Sequence, residues 1–361
     1  MKPTHNLQRA GQSLWLDNIT RDLIASGTLA RFIAELSITG LTSNPTIFDH
    51  AIKVGTAYDA QIHERAAAQR SGESLFFDLA LEDITRAADL FLPVHERTDG
   101  VDGWVSLEVS PTLARDAKST LTEAKELHAR AGRTNLFIKI PGTPEGLPAI
   151  EEAIFAGVPV NVTLLFSREQ YLAAADAYLK GIERRIAAGL NPGVASVASL
   201  FVSRWDVAVA GRVPANLTNT LGLAVAGSAY RAYSDLLASS RWRRAFNAGA
   251  RPQRLLFAST GTKDPGAPDI LYVKGLIAPL TINTLPQSTL EAFADHGELG
   301  APLAADGGAC EAVLGEFERA GIDLGQLAEK LQVDGADAFV KSWNELLGVI
   351  AGKRAALQKA V

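Results

Sequence analysis

Phe137-Ile138-Lys139-Ile140-Pro141-Gly142 decides how this chain is read. It is a short apolar strand with one amine near its end, stopped by proline and glycine. An amine among apolar neighbours resists protonation, and a neutral lysine attacks a ketone to form a Schiff base. The plainer reading of Lys139 is a stem lying on apolar side chains with its ammonium in water. Its surroundings in the sequence decide between the two.

Working outward, seven further apolar stretches read as strands: Leu14 to Asp17, Ile38 to Ser43, Trp104 to Val109, Val158 to Leu165, Val194 to Phe201, Leu255 to Ser259 and Leu280 to Thr284. With Leu136 to Ile140 they number eight, enough to close a barrel. Helical patterns such as Leu75 to Leu92, Ala114 to Ala131 and Arg168 to Ala188 lie between them, so parallel strands joined by helical crossovers are expected. The alternative, a doubly wound open sheet, lacks support: no GxGxxG follows the first strand and no GxxxxGK[ST] loop occurs. The fold class is therefore α/β, an eight-stranded (β/α)8 barrel spanning 1–361 as one domain. Two helices are expected in Trp205 to Gly249, and a helical tail in Gly308 to Ala320, Leu324 to Leu331 and Gly335 to Leu357. The last of these puts Phe339, Trp343, Leu346, Leu347 and Ile350 on one apolar stripe, which packs on the barrel or on a second copy.

Composition excludes several classes. The net charge of −5 is spread without a lysine or arginine run, which argues against nucleic acid as a partner. No uninterrupted apolar segment is long enough to span a membrane, and Met1-Lys2-Pro3-Thr4-His5-Asn6 lacks the apolar core of a signal peptide, so a cytoplasmic protein is expected. The single cysteine, Cys310, reads as a buried small apolar residue, and the six histidines show no metal spacing. No cofactor or metal is implied.

The polar residues fall where a packed core has no use for them. Asp17, Asn44, Glu108 and Lys139 each end or follow an apolar strand, and Asn161 and Thr163 share one face of theirs. In an eight-stranded α/β barrel those strand ends carry the active site. Other readings stay open: Asp17 as a cap on the next helix, Asn44 with Pro45 as a helix start, Thr163 as an ordinary β-former, and Glu108 as a buried salt bridge to Lys139.

Ser13-Leu14-Trp15-Leu16-Asp17, Thr42-Ser43-Asn44-Pro45-Thr46-Ile47-Phe48, Phe137-Ile138-Lys139-Ile140-Pro141 and Asn161-Val162-Thr163-Leu164-Leu165-Phe166-Ser167 closely resemble the transaldolases, in particular their longer bacterial branch. The resemblance extends over Leu255–Thr262, Leu280–Gln287 and the tail from Gly321 to Leu347. It implies a barrel enzyme of the pentose phosphate pathway that moves a dihydroxyacetone unit from sedoheptulose 7-phosphate to glyceraldehyde 3-phosphate, giving erythrose 4-phosphate and fructose 6-phosphate. By position it implies Lys139 as the Schiff-base lysine and Asp17 as acid/base at the C4 hydroxyl. Glu108 and Thr163 match the pair that positions a water for proton transfers. Asn44 and Asn161 match ligands of substrate hydroxyls, Ser199 and Phe201 line the sugar site, and Arg204 reaches the phosphate. Sugar phosphates are the implied partners of a monomer or homodimer.

One departure concerns the phosphate. Where the best-known members place an arginine two residues after the phosphate-binding serine, here Ser259, this chain has Gly261 in Ala258-Ser259-Thr260-Gly261-Thr262-Lys263. Backbone N–H groups of the small-residue turn and the Lys263 ammonium are the candidate substitutes. Two other functions fit the sequence less well. A simple aldolase releasing free dihydroxyacetone would replace Glu108, and a non-catalytic sugar-phosphate sensor gains nothing from a buried amine beside two carboxylates.

Overall fold

The computed structural model describes residues 2–67 and 72–359. Eight parallel strands close into a barrel in chain order: β1 (Ser13–Asp17), β2 (Ile38–Thr42), β3 (Trp104–Glu108), β4 (Leu136–Pro141), β5 (Val160–Leu165), β6 (Ser196–Phe201), β7 (Gln253–Ala258) and β8 (Ile282–Leu285), with β8 pairing back on β1. Side chains alternate between the barrel interior and the helices outside it, as the two-residue period of a strand requires. Leu14 and Leu16 join the large core shared with the helices, while Trp15 packs in a second cluster with Phe137, Val197, Leu256 and Ile282. The indole of Trp15 leaves no room across from it: a Cβ at Gly40 would lie 2.5 Å from the ring. β2 therefore carries its glycine for a packing reason.

Polar residues close the N-terminal end of the barrel. Asp102 takes hydrogen bonds from Ser13 Oγ (2.6 Å), Trp15 Nε1 (3.2 Å) and Arg254 Nη1 (3.1 Å). Arg254 also donates to the Val101 and Thr281 carbonyls and to Ser13 Oγ. Ser13, Trp15, Asp102, Arg254 and Thr281 are buried, and each charge has its partners in place.

The helices depart from expectation in three places, each for a local reason. The helix that leads into β3 runs Gly72–Arg97, passing through Pro93 instead of stopping at Leu92. The stretch after β6 holds three helices, Ser203–Val209, Leu221–Ala238 and Ser240–Asn247, with a 3₁₀ turn at Ala215–Leu217; Ser239 ends one and caps the next through Trp242 N. The tail after Cys310–Arg319 is one continuous helix, Leu324–Lys359, without a break at Gly335. Gly335 looks like a breaker and acts as a contact. A Cβ there would come within 3.0 Å of Leu164 Cδ2 and 3.3 Å of Arg204 Nη1, so the glycine lets the helix lie close over the barrel mouth. Residues 360–361 of the expected tail lie outside the described residues. The stripe of Trp343, Leu346 and Ile350 is buried in the large core, with the Trp343 ring beside those of Phe76 and Phe77, so it packs within its own chain. Cys310 is free and buried. Among the described residues no helix is long and apolar enough to cross a membrane.

Candidate active site

A cavity of about 480 Å³ opens at the C-terminal ends of the strands. Asp17, Asn44, Lys139 and Thr163 reach it from one side, and Ser199, Phe201, Arg204, Ser259 and Lys263 from the other. Two expected residues, Glu108 and Asn161, stand behind its wall.

Lys139 is buried, and its surroundings are polar where an apolar setting was expected. Strand register explains this, because Glu108 of β3 and Asn161 of β5 lie directly beside it. Its Nζ donates to the Ser43 carbonyl at 2.9 Å and stands 3.2 Å from Glu108 Oε2. That ion pair is not aligned as a hydrogen bond, and both Glu108 oxygens and Thr163 Oγ1 are buried without hydrogen-bond partners. Burial is the main influence on Glu108 and pushes its carboxyl above the ordinary range, with the Lys139 charge opposing and Asp17 reinforcing. Buried oxygens without partners are costly, and they concentrate where a structure is built to receive something.

Asp17 caps no helix. The helix that follows, Arg21–Ala25, is capped by the Thr20 hydroxyl, which accepts from Leu23 N. The Asp17 Oδ1 atom instead accepts a 2.7 Å hydrogen bond from Thr42 Oγ1, and burial raises its carboxyl against the pull of Lys139, the Thr42 hydroxyl and Lys263. Asn44 does both things foreseen for it. Its side chain caps the helix Pro45–Val54 by accepting from Ile47 N at 3.1 Å, and it lines the cavity. Asn161 is already engaged on both sides: its amide donates to Ser106 Oγ (3.1 Å) and accepts from Ser199 Oγ (2.7 Å), so it ties β5 to its neighbours beneath the cavity.

At the far wall Arg204 is half-buried, and its guanidinium carbon lies 5.1 Å from the centre of the Phe201 ring. Among the described residues no carboxylate pairs with it, and burial pushes it below the ordinary arginine value. Ser259 holds a left-handed backbone conformation, φ 56°, with its hydroxyl 2.9 Å from that of Ser203. The glycine at 261 has a steric side too. A Cβ there would stand 3.0 Å from Pro286 Cγ, so an arginine in this position would crowd the start of the helix after β8.

Residues not singled out from the sequence complete the walls: Thr42, Thr284, His50 and Phe339. Thr42 and Thr284 carry no signal for the site in the sequence, because threonine is common in strands. Phe339 carries none for the site, since its spacing places it in a packing stripe. The tail also secures the mouth through buried Gln332, whose Nε2 donates to the carbonyls of Gly142 (3.1 Å) and Leu164 (2.9 Å), just past Lys139 and Thr163. Leu164 is itself in the left-handed region, φ 58°, at the irregularity in β5 that turns the chain out of the barrel.

The family model for Transaldolase/Fructose-6-phosphate aldolase matches residues 14–350. The chain belongs to that family. Members similar to it include proteins named transaldolase from Thermobifida fusca (strain YX), 47% identical over 98% of this chain and 99% of the relative, and from Parafrankia sp. (strain EAN1pec), 44% identical over 97% of each. A third, from Arthrobacter sp. (strain FB24), is 43% identical over 99% of each.

Proposed function

We infer that this chain is a transaldolase, transferring a dihydroxyacetone unit from sedoheptulose 7-phosphate to glyceraldehyde 3-phosphate through a Schiff base on Lys139, with erythrose 4-phosphate and fructose 6-phosphate as products. The observation that carries it is the Lys139 amine, 3.2 Å from a carboxylate with unpartnered oxygens, facing a cavity whose far wall holds an arginine that no carboxylate pairs with among the described residues. Relatives of matching length that bear the transaldolase name support the same reading.

In this reading the ketone carbon of the donor meets Lys139 Nζ while its phosphate lies at Arg204, with Ser259, the Gly261 turn and Lys263 around it. Nitrogen attacks carbon, a proton moves to the former carbonyl oxygen, and water leaves to give the iminium. Glu108, raised by burial, exchanges these protons with a water held between its free oxygens and Thr163 Oγ1. The iminium draws electrons from the C3–C4 bond. Asp17 takes the C4 hydroxyl proton as that bond breaks, the aldose departs, and an enamine remains on Lys139. The acceptor aldose then enters and the steps run in reverse. Asn44 and Ser199 face the sugar hydroxyls.

Borohydride reduction in the presence of fructose 6-phosphate tests this. The reduced protein should gain one adduct, located at Lys139, and Lys139→Ala should gain none. Labelling at another lysine would remove the Schiff-base assignment. Adding erythrose 4-phosphate separates transfer from simple aldol cleavage: a transferase turns over rapidly only with the acceptor present, whereas an aldolase releases dihydroxyacetone at the same rate without it.

A further inference from the structure

Thr42 and Thr284 flank Asp17 from the two strands that sandwich β1. Thr42 of β2 is paired in register with Asp17, and Thr284 of β8 is paired with Trp15, two residues back and on the same face. Both hydroxyls are buried and both side chains line the cavity. The contacts run in series: Thr42 Oγ1 lies 2.7 Å from Asp17 Oδ1 and 2.7 Å from Thr284 Oγ1. A hydroxyl has one proton, so when Thr42 donates to the carboxylate, the bond to Thr284 must be donated by Thr284. The direction of the whole chain is then fixed by the charge on Asp17. Valine has the shape of threonine without the proton.

We propose that Thr42 and Thr284 are positioning residues for carbon–carbon cleavage, holding Oδ1 of Asp17 as a hydrogen-bonded acceptor so that Oδ2 is the oxygen turned to the substrate's C4 hydroxyl. This rests on the reading of Asp17 as the base in that step. The proton leaves the C4 hydroxyl for Oδ2, the C4–O electrons form the aldehyde carbonyl as the C3–C4 bond breaks, and the C3–C4 electron pair passes into the enamine. Thr42 goes on donating to Oδ1 throughout, so the carboxyl does not rotate between cleavage and the return of the proton to the next aldose. The other charged groups facing Asp17 are Lys139 on β4, Glu108 on β3 and Lys263 after β7, with His50 and Arg204 on the same cavity. The side-chain hydrogen bond that lowers Asp17 comes from Thr42 alone; the two lysines act on it through charge.

The test combines two readouts on the full-length enzyme: trapping with fructose 6-phosphate alone, and turnover with fructose 6-phosphate and erythrose 4-phosphate together. Borohydride traps the iminium of the uncleaved ketose and, once the enamine left by cleavage takes a proton at C3, the three-carbon iminium as well; mass spectrometry separates the six-carbon phosphorylated adduct from the three-carbon one. Thr42→Val should still be labelled at Lys139 but shift the trapped population toward the uncleaved adduct. Its kcat should fall roughly ten- to a hundred-fold with KM little changed, and the acidic limb of the rate profile should move up by roughly one to two pH units, the range for losing a hydrogen bond to a carboxylate. Thr284→Val should move all three in the same direction by less, and Thr42→Ser should restore them. A Thr42→Val enzyme with wild-type adduct ratio and pH limb overturns the proposal, as does equal loss in Thr42→Ser. If wild type itself is not labelled at Lys139, the underlying Schiff-base reading falls, and this one with it.

Discussion

At the N-terminal end of the barrel Arg254 stands 3.1 Å from Asp102; at the mouth Lys139 stands 3.2 Å from Glu108. Both pairs are buried and nearly equal in length, so distance does not separate them. Their surroundings do. Both Asp102 oxygens accept hydrogen bonds, and Arg254 donates to Asp102, to Ser13 and to the carbonyls of Val101 and Thr281. Among the described residues Glu108 has only the Lys139 ammonium beside it, and burial raises both it and Asp17. A buried charge surrounded by partners is costly to disturb, while one left short of partners costs stability and is a candidate for proton transfer. One barrel therefore holds two buried ion pairs in opposite settings, separated by a layer of Trp15, Phe137 and their apolar neighbours.

The contrast breaks most readily at Asp17. Asp17→Asn should cut turnover by roughly 10²–10⁴, as expected for a lost acid/base, while substrate still binds. Turnover near wild type would mean the mouth carboxylates are structural after all. At the other end, Asp102→Ala leaves the Arg254 charge buried without its carboxylate and should lower unfolding free energy by roughly 3–5 kcal/mol. Activity per folded molecule should survive, which chemical denaturation and a specific-activity assay on the same sample will show. Next in size, Arg204→Ala should raise KM for phosphorylated ketoses by roughly 1.5–3 kcal/mol and leave fructose itself nearly untouched, since a guanidinium binds phosphate through charge-assisted bonds. Lys263→Ala should show the same selectivity more weakly, because Lys263 is exposed. Equal losses on both sugars would place the phosphate elsewhere.

The smallest expected effect has the most particular sign. Asp17 has a folded-state pKa above its unfolded one, so the fold favours the protonated carboxyl and stability falls as pH rises above about 4, the unfolded value. A neutral amide at this position carries no such penalty. Thermal melts of Asp17→Asn should match wild type below pH about 4 and exceed it as pH rises toward neutrality, a gain of stability alongside lost activity. A variant less stable than wild type at neutral pH would contradict the burial argument.

Most of the barrel is legible in the sequence because each strand is a compact apolar run and each crossover has the helical period. The edges are less so. Leu280, which the apolar run puts at the start of the last strand, takes a left-handed conformation (φ 62°) and is exposed, so β8 begins only at Ile282. Gly335 misleads because glycine in isolation signals a break, and only the approach of Leu164 and Arg204 shows why a helix would keep it. At the site, residue types at strand ends identify the charged groups, but not which of them touch the cavity. Asn161 is bonded on both sides by Ser106 and Ser199, a fact of strand register that no motif records. Thr42 and Thr284 do not stand out in the sequence because threonine is common in strands, and only their spacing about Asp17 sets them apart.

The close seat of the Leu324–Lys359 helix over the mouth has a consequence in time. Synthesis runs from the N-terminus, and segments made early begin to fold while later ones are still being added. All eight strands, Lys139 included, leave the ribosome before Gln332 can bridge the carbonyls of Gly142 and Leu164 or Phe339 can take its place in the cavity wall. An unfinished chain thus carries the amine without Phe339 in the cavity wall and without Gln332 across the two carbonyls. The mouth is finished near the close of translation, by a helix that sets the Phe339 ring in the cavity wall.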